Sequence, residues 1–132
     1  MNKWCIFSKN GPPAQGPYSH AVAAGNLLFV SGQGPVAPDG SGVKKGSLED
    51  EVRLTLTNLK MILEDAGSGL QHVVKVNVYL ADMNSFSEFN EIYKEYFPMN
   101  PPARTCIQAG RLPFDIKVEI CLLYTSPSPR DS

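Results

Sequence analysis

The chain has 132 residues, 42% of them hydrophobic and 19% charged, with 12 Lys and Arg against 13 Asp and Glu for a net charge of −1. A domain of this size buries roughly two-thirds of its unfolded surface, so a packed core is within reach and disorder is excluded. Balanced charge offers no cationic field to hold a phosphate backbone, which argues against a dedicated nucleic-acid binder. No apolar run approaches the roughly 18 residues of a membrane helix, and residues 1–6 lack the apolar centre of a signal peptide. No membrane partner is expected, and the expected compartment is the cytoplasm.

Cys5, Cys106 and Cys121 are odd in number, form no CxxC pair and have no histidine at metal-ligand spacing, so reduced thiols are expected rather than disulfides or a metal site. Residues 8–17, Ser-Lys-Asn-Gly-Pro-Pro-Ala-Gln-Gly-Pro, can sustain neither helix nor central strand, because proline removes donors and glycine adds backbone entropy. Residues 18–24 and 27–32 flank Gly25-Asn26, whose tolerance of left-handed backbone suits a two-residue hairpin turn. The glycines and prolines of 31–46 predict a long surface loop.

Ser47 opens a helix. Asp50 stands three residues on, as in a capping box, and Glu49, Asp50 and Glu51 suit the positive dipole end. Leu48, Val52, Leu56, Leu59, Ile62 or Leu63, and Ala66 form one apolar stripe that Gly67 ends. Residues 73–80 alternate as a strand, with Val74, Val76, Val78 and Leu80 on one face and Val73, Lys75, Asn77 and Tyr79 on the other. A second helix begins near Asn84 or Ser85, with Ser85 and Glu88 at capping-box spacing, and runs through Phe86, Phe89, Tyr93 and Phe97 until Pro98 stops it. Two strands follow, 103–108 and 116–121. This order predicts an α+β domain, two helices covering one face of a mixed sheet. Leu27 and Phe29 alternate with equally apolar Leu28 and Val30, so the uncovered face is apolar too and a homo-oligomer is expected to bury it.

If the last two strands pair as a hairpin, parity brings Arg104, Cys106 and Gln108 alongside Lys117, Glu119 and Cys121. Arg104 follows Pro101-Pro102 at a rigid strand entrance. Its planar guanidinium suits a bidentate grip on a small carboxylate, the alternative being an ion pair with Glu119. Cys106 is expected to be a small apolar residue rather than a nucleophile, and His20 and His72 to be packed or surface histidines. Gly32-Gln33-Gly34-Pro35 lacks the spacing of a phosphate loop. Composition and spacing alone stop at an oligomeric α+β domain with an arginine-bearing interface.

Three segments together carry more: Gly16-Pro17-Tyr18-Ser19, Phe29-Val30-Ser31-Gly32-Gln33, and Pro102-Ala103-Arg104-Thr105-Cys106 followed by Arg111-Leu112-Pro113 and Val118-Glu119-Ile120. Over residues 6–120 the chain resembles the RidA (YjgF) family of reactive intermediate deaminases. The resemblance implies a chorismate-mutase-like fold assembled as a homotrimer, with a central barrel and three clefts between subunits. It implies hydrolysis of imino and enamine acids, such as 2-iminobutanoate and 2-aminoacrylate, to 2-oxo acids and ammonia without metal or cofactor. By the same resemblance Arg104 holds the substrate carboxylate, Tyr18 reaches the cleft from its loop, Gly32 and Cys106 offer backbone groups, and Asn90 lines the pocket. It sets the family's water-orienting glutamate at Cys121, a weak acceptor, which leaves room for a trimer that binds ligands or acts as a chaperone without turnover. Endoribonuclease or translation-inhibitor activity, also ascribed to the family, is the other alternative, and mitochondrial association is a second compartment. The expected domain is 1–121, with 122–132 a disordered or non-native tail.

Overall fold

The computed structural model describes residues 2–125, and begins with a short strand, β1 (Trp4–Ile6), that the sequence pattern does not announce. β2 (Ala21–Ala24) and β3 (Leu27–Gln33) form the expected hairpin, turning at Gly25 with φ +63°. The loop expected over 31–46 carries structure of its own: β3 runs on to Gln33, and β4 (Val36–Ala37) pairs with β5 (Gly42–Val43) in a small separate ladder. Helix α1 (Leu48–Asp65) starts where Ser47 Oγ accepts the Asp50 amide at 3.1 Å, and the chain leaves it through Gly67 at φ +81°. Its predicted stripe is buried from Leu48 to Leu63, and Glu51, Thr55 and Asn58 are buried beside it.

β6 (Val73–Leu80) has the predicted ends, but a register shift between Val73 and Lys75 alters its first residues. Val73 is turned into the core and Val74 is exposed, the reverse of strict alternation. Helix α2 (Phe86–Tyr96) follows a single 3-10 turn, Met83–Ser85, capped by Asp82 Oδ1 accepting the Asn84 amide. Ser85 makes no side-chain cap bond, so the second expected capping box does not form. β7 (Ala103–Gln108) and β8 (Val118–Thr125) complete the sheet, in the order β1-β2-β3-β8-β6-β7.

This topology corrects two expectations. β7 does not pair with β8; it lies parallel to β6 across the α2 connection, while β8 is inserted antiparallel between β3 and β6. β8 also runs to Thr125, with Leu122 and Tyr124 buried against β3 and β6, so the boundary expected after residue 121 falls inside a core strand. Residues 126–132 of the expected tail lie outside the described residues.

Both helices cover one sheet face, as predicted, and the core between them joins Leu56, Leu59, Leu63 and Phe89 to Leu28, Val76, Val78, Ile120 and Tyr124. The other face presents Phe29, half exposed, with Leu123, Cys121, Glu119, Asn77 and Tyr79 on the neighbouring strands. Among the described residues no helix is long and apolar enough to cross a membrane.

Candidate functional site

The residues singled out from sequence fall into two clusters on opposite sides of the sheet. Parallel pairing with β6 sets Arg104 level with Val76 and Cys106 level with Val78, so both side chains project toward α2. Glu119 and Cys121 stand level with Tyr79 and Asn77 on the open face. The expected alignment of Arg104 and Cys106 with Glu119 and Cys121 is therefore not formed. It presumed a hairpin, and the intervening β6 and the parallel direction of β7 remove its premise.

In the first cluster Arg104 lies under three rings of α2 spaced along one helix face. Its Cζ is 4.8 Å from the Tyr93 ring centroid, 5.5 Å from Phe86 and 5.8 Å from Phe89. Neither Glu119 nor any other carboxylate among the described residues pairs with it. On the same helix two buried polar atoms have no hydrogen-bond partner among the described residues, the Asn90 Oδ1 and the hydroxyl of Tyr93, whose ring lies over the guanidinium. Burial pushes the Tyr93 phenol up to about 12 against the pull of Arg104, so it stays a neutral donor. Burial likewise raises the Cys106 thiol against the opposing effect of Arg104, which suits a packed thiol and not a nucleophile.

The second cluster lines a cleft of about 310 Å³ that includes Gln15, Tyr18, Ser31, Gly32 and Glu119. A bulge forms its floor. Between Val30 and Gln33 the β3 register slips against β8, so that Ser31 and Gly32 together span one residue of the partner strand. Glycine lets the Glu119 carboxylate lie against the bulge, because a Cβ on Gly32 would be 2.5 Å from Glu119 Oε2 and the carboxylate would have to move. Burial raises the Glu119 carboxyl above its ordinary value, the signature of an acid partly withdrawn from water. Cys121 is not part of the lining. Two residues further along β8, its sulfur accepts a 3.8 Å contact from Asn77 Nδ2.

Tyr18 enters the cleft on the proline-rich loop, and the loop is anchored at two points. His20 Nδ1 accepts the Ser8 amide at 2.7 Å, so the ring is neutral with its proton on Nε2, which donates to the Pro12 carbonyl at 2.6 Å. Asp65, at the end of α1, accepts from the Ser8 hydroxyl and from both the amide and the side chain of Asn10, and the Ser8 hydroxyl, first of these, holds its carboxyl below the usual range. The Tyr18 hydroxyl accepts the Gln15 amide at 3.0 Å and keeps its own proton for donation.

Sequence reasoning missed Glu119 as the cleft carboxylate, His20 as a loop anchor and Phe114 on the rim. Phe114, in the turn before β8, lines the cleft with φ +59°. Parity along β8 sets Glu119 and Cys121 on the same face, as expected from the sequence. Only the β3 bulge decides which of them meets Gly32.

The chain matches the family model described as Endoribonuclease L-PSP over residues 8–124. It is 48% identical over 118 residues to a RutC family protein of Pyrococcus horikoshii, covering 89% of this chain and 94% of that one. TdcF of Escherichia coli K12, whose name proposes a reactive intermediate deaminase, is 39% identical over 121 residues, with 89% and 93% coverage. The crystal structure of E. coli TdcF with bound serine superposes at a TM-score of 0.87 with 37% identity, covering 92% of this chain and 98% of that one.

Proposed function

The chain belongs to the endoribonuclease L-PSP (YjgF/RutC) family, and on that footing we propose that it is a hydrolytic deaminase of 2-imino and enamine acids. The observation that carries this reading is Arg104: a guanidinium held by three rings of α2, with no carboxylate partner among the described residues. Such a group is ready for a small anion, and a 2-imino acid supplies one next to its electrophilic carbon. The serine in the TdcF structure is a small amino acid of comparable size, which supports a ligand of this class.

Arg104 and Glu119 stand on opposite faces of one sheet with β6 between their strands, so one chain does not bring both to one substrate. A homotrimer, in which the Arg104 cluster of one protomer closes over the Tyr18–Glu119 cleft of the next, would join them and cover the apolar open face. Arg104 then binds the substrate carboxylate while Glu119, rather than Cys121, orients water and takes its proton. The water oxygen bonds to the imine carbon and the C=N π pair moves to nitrogen, which is protonated. The resulting carbinolamine collapses, its hydroxyl proton leaves, the C–N bond breaks, and a 2-oxo acid and ammonia depart. Orientation and fixed charge supply the catalysis, with no redox step.

The test is release of 2-oxobutanoate from freshly generated 2-iminobutanoate. Arg104→Ala is expected to lower kcat/KM at least a hundredfold with assembly intact by sedimentation, and unchanged turnover would overturn the reading. The family description and a Thermotoga maritima structure whose name proposes an endoribonuclease favour a second reading, RNA cleavage. Cleavage of a model RNA that survives Arg104→Ala in the homogeneous protein would support it over the first.

A further inference from the structure

Gly32-Gln33-Gly34-Pro35, whose spacing is not that of a phosphate loop, has another part to play. Directly after the β3 bulge the chain makes a three-residue turn with Pro35 at its centre, the Val36 amide donating to the Gly34 carbonyl at 2.9 Å. Asn58 of α1 clips that turn. Its Nδ2 donates to the Gly34 carbonyl at 3.2 Å and to the Val36 carbonyl at 2.7 Å, so both protons of one amide are spent on the two ends of the turn. Gly34 is also pressed against the approach to β8, since a Cβ there would lie 2.7 Å from Ile116 Cδ1.

Asn58 is fully buried on a helix whose neighbouring buried residues include Leu56, Leu59 and Ile62. Two carbonyls can be met only by the amide nitrogen, and the Oδ1 is left with no hydrogen-bond partner among the described residues. An unmet buried acceptor is a cost that an apolar side chain at this position would not carry. What the amide supplies in return is a turn of fixed position. That turn adjoins Gln33, level with Ile120 of β8, and Gly32, whose missing Cβ lets Glu119 lie against the bulge. Glu51, seven residues earlier on the same face of α1, accepts the Lys117 amide at 2.7 Å, two residues before Glu119. One helix therefore grips both strands that meet at the Gly32–Glu119 contact, through Asn58 after β3 and through Glu51 before β8.

We propose that Asn58 is a positioning residue for the deamination: by fixing the turn that follows the β3 bulge, it holds Gly32, and with it the Glu119 carboxylate, where water is oriented. The inference rests on the deaminase reading and adds to it a residue that touches no substrate.

The experiment is a kinetic cycle on the full chain with 2-iminobutanoate generated in situ, comparing the wild type, Asn58→Ala, Glu119→Gln and the double variant, each checked for assembly by sedimentation. Asn58→Ala is expected to lower kcat by roughly tenfold or more, the scale of a reacting group moved by about 1 Å. KM is expected to hold, because the carboxylate is gripped by Arg104 and not by this turn. In the Glu119→Gln background the same substitution is expected to cost nothing further, since the group it positions is already gone. Asn58→Thr, with one hydroxyl proton in place of two amide protons, is expected to lose part of the rate, and it takes the place of Asn58→Ala in the cycle if that variant does not assemble. An unchanged kcat, or an equal loss in both backgrounds, overturns the proposal. A merely structural Asn58 would lower Tm and cost the same factor whether or not Glu119 is present. Wild-type turnover with independent effects of the two residues removes this inference alone, whereas no turnover by the wild type removes the deaminase reading beneath it.

Discussion

Gly32 and Glu119 are fitted to each other by a missing methyl group, since a Cβ at residue 32 would lie 2.5 Å from the carboxylate. Gly32→Ala is therefore expected to displace Glu119 while leaving the core untouched. A fall in kcat/KM of roughly tenfold or more, with Tm held within a few degrees, is the outcome expected when a reacting group is moved by about 1 Å. Undiminished turnover would show that Glu119 has no part in the chemistry. The same carboxyl predicts a pH dependence. Burial raises its pKa above the ordinary 4.5, so it stays protonated to a higher pH than a surface glutamate and cannot take a proton from water there. The acid limb of kcat/KM should accordingly lie above pH 4.5, activity rising with pH, and Glu119→Gln should remove both the limb and most of the rate. For stability the sign is opposite: the native state holds this proton more tightly than the unfolded chain. Its contribution is present below the ordinary value and is lost as pH rises through the raised one.

At the level of elements, α1 was legible because its apolar stripe, acidic first turn and Ser47 cap agree with one another, and β6 because eight alternating residues leave little else to form. The pairing of β7 was not legible. Adjacent short strands in sequence suggest a hairpin, and only the α2 crossover shows that the chain has already passed over the sheet edge. The reversal of Val73 and Val74 has a similar origin, since a bulge breaks the parity on which face assignments rest. Glu51 is a further device hidden from periodicity. Fully buried on α1, it accepts the Gly46 amide at 3.0 Å, the Lys117 amide at 2.7 Å and Lys117 Nζ at 3.3 Å, tying the β5–α1 connection to the start of β8. The Lys117 side chain is 45% exposed, so water screens the ionic part and the two backbone amides dominate. Glu51→Ala strands both and is expected to cost roughly 2–4 kcal/mol in urea unfolding. A change below 0.5 kcal/mol, the level of an ordinary surface substitution, would contradict that account.

For the whole molecule, the face away from the helices decides the rest. Phe29 is 50% exposed there and Ile107 48%, with Leu123, Cys121 and Tyr79 between them, an apolar surface wider than isolated side chains explain. Phe29→Glu on this face is expected to shift sedimentation from a closed oligomer toward the monomer and to lower turnover with it, because the Arg104 cluster and the Glu119 cleft of one chain lie on opposite faces. A monomeric wild type with full activity would refute that dependence.

The sequence by itself determined what repeats along the chain: two amphipathic helices, the β2–β3 hairpin, the β6 strand, the apolar character of both sheet faces, and an arginine fixed behind two prolines. These follow from local spacing, which depends on few neighbours. Only the tertiary structure decided that β8 enters between β3 and β6, that Tyr124 belongs to the core, and that Glu119 rather than Cys121 meets Gly32. Each of these turns on a one-residue slip or a crossover between segments far apart in sequence, and parity within a single strand carries no record of either.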